Sequence, residues 1–559
     1  YVYFWRWALW KAFEQHDDAA IVSFVCPTGF LTGGGASGMR SWLRAQADEI
    51  ITVDLLGSRR DSRRSYNLFS EIKTPVGVTT ARRTATADRP ALAPWPRIVF
   101  RGTTDERLKQ LREWTVNGPG DLARSFLEAA PDVAAHEDVL TNETATFRAT
   151  HHPLTNLLGF HRNGVKAQRT WVYGETMQVA NDRWEALVSA EQTDRGSLLG
   201  SKGSNNPNAT PIGLLSAQKL SALNAKSPGD PEGVVKVQYR PLDEHFLVAD
   251  ARVLARPSRD LWSVRRPDQQ YFVSRFISEG AGKGPVALLT GLIPDLDCSN
   301  PSNGGGADVA PLYRSAGAPD PNVHPELLTG LAVAYDQPVS SEDVFFYLTG
   351  LMGTGAYADA FWDELEMSVP RAMFPKDART FHKVVGLGSE VAHLTTNGRI
   401  GDLRSEFDVN IHPFITKSAS EQPKGDLPEW WTYDYATKEL NIEGRLRVAG
   451  VTEAVMSYQY MGKRVIESWL DYRMMRRKVA GRANTTPLDS IRPTWTPQEF
   501  SLPLKNLLIT VHHLLALEPE AAGLIGDICS DLLSIELRPF TDAERKPVRD
   551  LSSTPSLLS

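Results

Sequence analysis

The first 100 residues alternate apolar runs of strand length with helical stretches, and this pattern limits the folds open to them. IVSFVC (21–26) and EIITVDLL (49–56) are continuous apolar runs, and PVGVTTA (75–81) is a third strand candidate. A helix is expected around residues 38–47, between the first two runs. Continuous apolar strands between helices are typical of a parallel sheet covered on both faces. The sequence therefore predicts an α/β unit with a parallel sheet over residues 1 to about 100.

The chain opens on YVYFWRWALWKAF, in which seven of thirteen residues are aromatic. The helix that this stretch predicts is apolar all round, which is typical of a helix buried on more than one side. Arg6 and Lys11 lie within it and no small-residue cleavage site follows, which argues against a signal peptide. Three strands with an exposed first edge make a poor domain, so we interpret this region as part of a larger sheet.

Composition narrows the class of protein. A chain of 559 residues is long enough for two to four domains. Its net charge of -6 means that contact with nucleic acid needs local basic patches. Cys26, Cys298 and Cys529 are far apart, which argues against a disulfide framework or a zinc site. The same cysteine usage suits a reducing cytoplasm, where we expect the protein, and no uninterrupted apolar run approaches the roughly 18 residues of a membrane span.

The rest of the chain predicts a mixed arrangement of helices and strands. Helices are expected near 104–116 and 121–130, through most of 340–395, at 463–478, and as two further helices from about 497 to 535. Strands are expected as a pair around a turn within VVKVQYRPLDEHFLVADARVL (234–254) and as a two-strand segment near 431–459. A Ser/Asn/Gly/Pro loop is expected around 197–211. This composition of elements favours an α+β domain.

Several motifs suggest a cofactor or a metal, but a plainer interpretation is favoured for each. GGGASG satisfies G-x-G-x-x-G at Gly33, Gly35 and Gly38, yet six residues separate it from the preceding strand, so a dinucleotide site is not favoured. VVGLG (384–388) fits the apolar face of a helix. His151 and His152 lack a third ligand at useful spacing. Asp295 and Asp297 are expected to be a solvated pair on a loop.

Two arginine-rich segments suggest contact with phosphate. GSRRDSRRSYN places four arginines after a strand, where an open α/β sheet builds its ligand crevice: Arg59, Arg60, Arg63 and Arg64. WLDYRMMRRKVAGR places Arg473 beside Trp469 and Tyr472. The alternative to phosphate contact is a solvated loop for the first segment and an ordinary amphipathic helix for the second.

Taken in order, these segments resemble one known family. YVYFWRWALWK, IVSFVCPTGFLTGGGASGMRSWLRAQADEIITVDLLG and SRRSYNLFSEIKTPVGVTT resemble the later part of an N6-adenine DNA methyltransferase domain, as found in type ISP restriction-modification enzymes and their methyltransferase-only relatives. Six later segments resemble the family's C-terminal specificity domain: HPLTNLLGFHRNGVKAQRTW, VQYRPLDEHFLVADARVLARPSRD, SEDVFFYLTGLMGTGAYADAF, TFHKVVGLGSEVAHL, YDYATKELNIEGRLRVAGV and SYQYMGKRVIESWLDYR. The similarity is collinear and spans most of the chain.

The resemblance implies a chemistry for the first domain. Such enzymes bind S-adenosylmethionine on a Rossmann-like sheet and flip an adenine out of the duplex for methylation. Phe69 matches an aromatic position against the flipped base, with a core phenylalanine as the alternative, and Pro27 and Thr28 would line the same pocket. The catalytic [DN]-P-P-[YFW] tetrapeptide and the glycine-rich cofactor motif, both earlier in the family, are absent from this sequence. The cofactor site is therefore expected mostly upstream, and the chain alone is expected not to methylate.

For the second domain the resemblance implies contact with DNA. Five residues fall on motifs of the specificity region: Asn163, Lys166, Arg169, Arg240 and Arg256. We expect them to bind DNA together with Arg473 and the arginine loop. The family often has an Arg-Asp pair where this sequence has Arg169-Thr170, which puts that local role in doubt. Asp243 is expected to orient Arg240 in a buried ion pair.

The sequence therefore predicts the C-terminal half of a Rossmann-like, SAM-dependent methyltransferase sheet (1–130), a mixed α+β target-recognition domain (140–540) and a tail (541–559). The expected function is site-specific adenine-N6 methylation of double-stranded DNA in a restriction-modification or phage-defence system. The partners expected besides DNA are an upstream helicase or nuclease segment or a separate restriction subunit, and no membrane is expected. One alternative is a non-catalytic specificity subunit that works with a separate methyltransferase or nuclease. Another is a structural protein with no nucleic-acid role.

Overall fold

The computed structural model divides the chain into two compact units. Unit 1 is Tyr1–Ala149 with Ser302–Gly304, and unit 2 is Thr150–Pro301 with Gly305–Ser559. The structure describes residues 2–16, 18–27, 31, 37–55, 76–84, 93, 95, 97–99, 104–117, 149–200, 206–277, 282–299, 306–362, 365, 368–404, 410, 412–418, 425–475 and 486–548. The expected junction at 130–140 and the expected helix at 121–130 lie outside these residues.

Unit 1 holds a small mixed sheet with helices. Its elements are α1 (Val2–Leu9, continued by a π-helical turn, Trp10–Glu14), β1 (Ala20–Pro27), α2 (Ser37–Gln46), β2 (Glu49–Asp54), β3 (Val76–Arg83), β4 (Arg97–Val99) and α3 (Thr104–Asn117). The strand order is β1-β3-β2-β4. β3 runs antiparallel to both β1 and β2, and only β2 and β4 are parallel.

The expectation of a parallel sheet is wrong for these strands. A continuous apolar run indicates that a strand is buried, but it does not indicate the direction of the strand. That direction depends on the chain segments that connect the strands. β1 and β2 still run in the same direction, because each is antiparallel to β3, and α2 lies between them in the chain. The described strands therefore form a mixed α/β sheet.

Among the described residues of unit 1, α1 buries one face and leaves the other exposed. Trp5, Leu9 and Phe13 recur every four residues and are buried, while Tyr3 is 88% and Trp7 62% exposed. The buried face joins Val22 and Cys26 of β1, Leu43 of α2 and Ile50 of β2 in one core cluster. The expectation that this helix is buried on more than one side is therefore not met among these residues.

Unit 2 begins with small antiparallel sheets and short helices. Its elements up to residue 311 are β5 (His152–Pro153), α4 (Leu154–Leu157), β6 (Arg162–Asn163), β7 (Tyr173–Gly174), α5 (Met177–Ser189), α6 (Gln192–Leu199), β8 (Val234–Arg240), β9 (Asp243–Val248), α7 (Arg259–Ser263), β10 (Tyr271–Ser274), β11 (Leu288–Thr290) and β12 (Asp308–Pro311). The sheets have the orders β7-β9-β8 and β11-β10-β12-β6. The strand pair expected within 234–254 is confirmed as the β8–β9 hairpin.

The second part of unit 2 is mainly helical, with one further four-stranded sheet. Its elements are α8 (Pro325–Tyr335), α9 (Ser341–Met352), α10 (Gly355–Ala360), β13 (Arg371–Ala372), α11 (Ala378–Thr395), β14 (Ile415–Ser418), β15 (Trp431–Asp434), β16 (Glu439–Ile442), β17 (Leu446–Ala449), α12 (Glu453–Met456), β18 (Gln459–Tyr460), β19 (Lys463–Arg464), α13 (Val465–Tyr472) and α14 (Pro497–Ser530). The order β14-β17-β16-β15 is antiparallel throughout. VVGLG lies inside α11 with Val384 and Leu387 buried, as its apolar spacing predicts.

One expectation for the C-terminal part is wrong. One continuous helix, α14, replaces the two expected from 497 to 535, because Pro503 and Pro519 both lie on its exposed side and leave the packed face unbroken. α14 is long and apolar enough to cross a membrane by length and composition alone, and in unit 2 its apolar face packs on α10 and α11. Within the expected tail, residues 541–548 contact the rest of unit 2, where the Val548 amide donates to the Arg314 carbonyl at 2.8 Å.

Candidate nucleic-acid interface

Two cations, Lys166 and Arg256, lie side by side on the surface of unit 2. The Lys166 amide donates to the Arg256 carbonyl and the Arg256 amide donates to the Lys166 carbonyl, both at 2.9 Å. Residues that exchange both hydrogen bonds in this way are directly opposite and place their side chains on the same face. Lys166 is half-buried and Arg256 exposed, and neither side chain has an acidic partner among the described residues. Because two like charges at this spacing repel each other, the pair favours an anion between them.

The backbone around Lys166 is fixed on both sides. The Gly164 amide donates to the Ala307 carbonyl at 3.0 Å, and the Leu296 amide donates to the Val165 carbonyl at 2.7 Å. A Cβ atom on Gly164 would lie 2.8 Å from the Asp295 carbonyl, so only glycine permits this approach. The segment that carries Lys166 is therefore held rigidly against the chain around Asp295.

Asn163 borders the same surface. Its side chain is exposed, and its Nδ2 donates to Asp308 Oδ1 at 3.1 Å. Ser258 Oγ donates to the Asn163 carbonyl at 2.6 Å. Asn163, Lys166 and Arg256, which the resemblance singled out, are thus brought together by the fold.

Arg240 belongs instead to a buried ion pair. Its Nη1 lies 2.6 Å from Asp295 Oδ1, and the two side chains are 11% and 6% exposed. The guanidinium also covers the ring of Tyr239, with 3.9 Å from Cζ to the ring centroid. Tyr173 donates its hydroxyl to the same carboxylate. Burial, together with this carboxylate, raises the pKa of Tyr173 well above its ordinary value, so the hydroxyl remains a donor.

The expectation that Asp295 and Asp297 form a solvated pair is therefore wrong for Asp295. Asp297 is exposed, at 63% of its side chain, and its Oδ2 lies 3.9 Å from Arg240 Nη2. Asp295 is buried because the β8–β9 hairpin brings an arginine to it from 55 residues away. Local sequence gives no sign of such a partner.

Asp243 pairs with Arg473 rather than with Arg240. Arg473 Nη2 lies 2.7 Å from Asp243 Oδ1, and His245 Nε2 lies 3.5 Å from the other carboxylate oxygen. Although burial alone would raise the pKa of Asp243, Arg473 and His245 hold it well below its ordinary value. The expected Arg240–Asp243 pair fails because the strand register shifts between Gln238 and Arg240, and such a bulge redirects a side chain.

Arg169 has a structural position. It is 5% exposed, and its guanidinium donates to the carbonyls of Leu199 at 2.6 Å and Val253 at 2.8 Å. Arg473 is also engaged, since its guanidinium lies 3.9 Å over the Trp469 ring besides pairing with Asp243. Arg169, Arg240 and Arg473 are therefore held by internal contacts, whereas Lys166 and Arg256 have no acidic partner among the described residues.

In unit 1 the structure describes only one of the expected pocket residues. Pro27 ends β1, is half-buried and pairs with Val76. The other expected residues of this unit, Thr28, Phe69, Arg59, Arg60, Arg63 and Arg64, lie outside the described residues. No group of three or more histidine, cysteine or acidic side chains suited to a metal occurs among the residues that were described.

Sequence reasoning missed the arginines that hold the backbone of unit 2. Arg183, Arg195 and Arg252 are at most 5% exposed and donate to main-chain carbonyls. Arginine is usually exposed, and nothing in its local sequence distinguishes the buried ones.

Comparison with known proteins agrees with this fold. The family model of the Type ISP C-terminal specificity domain matches residues 156–499. A DrdV–DNA complex is similar with a TM-score of 0.56 and 16% identity, and the match covers 95% of this chain and 52% of that chain. LlaBIII, an ATP-dependent Type ISP restriction-modification enzyme bound to DNA, has a TM-score of 0.57 and 16% identity, with 96% of this chain and 34% of that chain covered. A nuclease-deletion mutant of the Type ISP restriction-modification enzyme LlaGI with a DNA substrate mimic has a TM-score of 0.56 and 15% identity, with 93% of this chain and 40% of that chain covered. This chain thus spans about a third to a half of the length of those chains. The search of curated proteins found no match. Because the family model covers more than half of the sequence, the chain belongs to the Type ISP C-terminal specificity domain family.

Proposed function

We propose that this chain recognises a DNA target as the specificity part of a Type ISP restriction-modification enzyme. The family match over residues 156–499 is the observation that carries the proposal. The three similar structures each contain DNA or a DNA substrate mimic, which supports DNA as the ligand of this fold. Within unit 2, the pair Lys166 and Arg256 offers the chemistry that DNA requires.

The pair is suited to phosphate for two reasons. Its two positive charges are adjacent on one face, and no acidic side chain among the described residues neutralises them. A phosphate group between them would remove their mutual repulsion and release condensed counterions from the DNA. Such contacts fix the register of a protein on the duplex without reading its sequence.

Binding of duplex DNA at several salt concentrations tests this role. Each phosphate contact contributes about 0.9 to the slope of log K against log salt, so we expect Lys166→Ala and Arg256→Ala each to lower the slope by about 1. Lys383→Ala, which removes an exposed lysine of α11, is the matched control and should leave the slope unchanged. A double variant that binds with the wild-type affinity and slope would contradict the proposal.

We further propose that the complete enzyme methylates adenine N6 with S-adenosylmethionine and that unit 1 contributes the later part of that domain. The β1–α2–β2 connection between two strands of the same direction supports an open α/β sheet, and Pro27 lies at the strand end where such sheets bind ligands. A glycine-rich cofactor loop has no counterpart among the described residues of unit 1. We therefore assign no step of methyl transfer to them.

The methylation proposal is tested in the host. N6-methyladenine is mapped across host DNA with and without the complete gene. One methylated motif that disappears on deletion is the expected result. An unchanged methylation pattern would overturn this part of the proposal and leave DNA recognition to be judged by the binding assay.

A further inference from the structure

Residues 206–231 form a long irregular loop on unit 2, which we call the pinned loop. No helix or strand occurs in it, and its one isolated bridge joins Ile212 to Lys219. Loops longer than about 12–15 residues without secondary structure are uncommon in compact domains and are usually functional or disordered. Its contacts decide between these two possibilities.

Buried charged side chains hold the backbone of the pinned loop. Arg252 donates to the Pro228 carbonyl at 2.7 Å and to the Asp230 carbonyl at 3.1 Å. Arg195 donates to the carbonyls of Leu223 at 2.7 Å and Ala225 at 2.8 Å. Both arginines are at most 5% exposed. The loop is therefore an ordered structure with a fixed backbone.

Glu232 fixes the tip of the pinned loop. Its carboxylate accepts from the amides of Leu214 at 2.8 Å, Leu215 at 3.1 Å and Ser216 at 3.2 Å. The Gly213 amide donates to the Gln218 carbonyl at 2.7 Å, which closes a tight hairpin. One carboxylate thus organises three consecutive backbone amides and sets the direction in which the following residues point.

The hairpin presents two exposed polar side chains, Gln218 and Lys219. Neither side chain forms a hydrogen bond or an ion pair with another described residue. Gln218 contributes only its backbone to the fold, since its carbonyl accepts from Gly213 and its amide donates to Ser216 Oγ at 3.2 Å. A rigid backbone that presents an unoccupied carboxamide loses little further entropy when that group binds a ligand.

The hairpin is joined directly to the surface of the cation pair. Arg259 Nη1 donates to the Gly213 carbonyl at 3.1 Å, and Arg259 follows Arg256 by three positions. Three residues span at most about 11 Å between Cα atoms, so the side chain of Arg259 joins the hairpin to the segment that carries Arg256. A duplex whose phosphates lie on Lys166 and Arg256 would therefore run beside the hairpin that carries Gln218.

We propose that Gln218 reads a base edge in the major groove of the DNA target. A glutamine carboxamide matches adenine, because it can accept from N6 and donate to N7 at once. Lys219 would bind phosphate or guanine beside it, and Glu232 is a positioning residue that acts through the hairpin. The inference deepens the proposed function and rests on it.

Selection of binding sites from a randomised duplex library tests the proposal with the whole chain. Wild type is expected to enrich one motif that contains an A·T position read by Gln218. Gln218→Ala is expected to enrich the same motif with that single position relaxed, with a loss of about tenfold or more in preference for adenine. Gln498→Ala removes an exposed glutamine of α14 and should leave every position unchanged.

A second readout separates base recognition from general damage to the fold. Gln218→Ala should keep the wild-type thermal unfolding and the wild-type salt slope on DNA of unrelated sequence. Glu232→Gln should weaken the same position of the motif, because it loosens the hairpin without removing a phosphate contact. An unchanged motif for Gln218→Ala overturns this inference alone. If wild type enriches no motif, the proposed function fails, and the inference fails with it.

Discussion

The buried pair Arg240–Asp295 gives the sharpest prediction for stability. Asp295→Asn keeps the shape of the side chain and removes its charge. Arg240 would then be an almost buried cation whose nearest remaining carboxylate, Asp297, is 3.9 Å away and exposed. Removal of one partner of a buried ion pair typically costs about 3–5 kcal/mol. Since asparagine can still accept a hydrogen bond from Tyr173, we expect the lower end, about 3 kcal/mol.

The chain offers a matched control at Asp260. Arg162 Nε lies 2.8 Å from Asp260 Oδ2, but these side chains are 37% and 32% exposed. Solvent screens such pairs, and they contribute about 0–1 kcal/mol. Asp260→Asn should therefore cost no more than about 1 kcal/mol, although the two pairs have the same chemistry and similar distances.

The assay is urea unfolding at neutral pH followed by tryptophan fluorescence, with free energies from linear extrapolation. Adding Arg240→Met to Asp295→Asn should recover part of the loss, because it removes the uncompensated charge. Equal small losses for Asp295→Asn and Asp260→Asn would refute the argument that burial makes the first pair important. The argument would also be refuted if the double variant lost more free energy of unfolding than the two single substitutions lose together.

Two further predictions concern packing and pH. Gly388→Ala should cost about 3 kcal/mol or more, because its Cβ atom would lie 1.7 Å from the Phe346 carbonyl oxygen where α9 and α11 touch. Gly386→Ala, on an open side of the same helix, should gain up to about 1 kcal/mol, and the same urea assay compares the two. Burial, with Arg162 and Arg545, lowers the pKa of His161 to about 4. The unfolded chain then binds more protons below pH 6.5, so stability is complete above that pH and is lost as the pH falls from 6.5 towards 4. We expect His161→Phe to abolish about 1–2 kcal/mol of the loss between pH 7 and pH 5, and an unchanged pH profile would contradict this.

Much of the local structure could be predicted from the sequence. The β8–β9 hairpin follows from two apolar runs around a turn, and the buried face of α11 follows from the helical spacing of Val384 and its neighbours. These signals come from residues close in the chain. For the same reason, the resemblance located Lys166 and Arg256 on motifs but could not state that they face each other.

The order of the strands and the pairing of charges could not be predicted. An apolar run such as IVSFVC shows that a strand exists, whereas the insertion of β3 between β1 and β2 depends on how the connections run. Gln218 gave no signal in the sequence beyond its position near a Ser/Asn/Gly/Pro loop. Its importance rests on the side chains that hold the hairpin, among them Glu232.

The sequence by itself determined most of the helices and strands, the family to which the specificity domain belongs, and which cations are candidates for binding DNA. Only the tertiary structure decided which of those cations are available. It buried Arg240 against Asp295, 55 residues away, and Arg473 against Asp243, 230 residues away, while it left Lys166 and Arg256 adjacent and without an acidic partner among the described residues. Helix and strand periodicity is a local property, but the partner of a charge is set by whichever distant segment the fold brings to it.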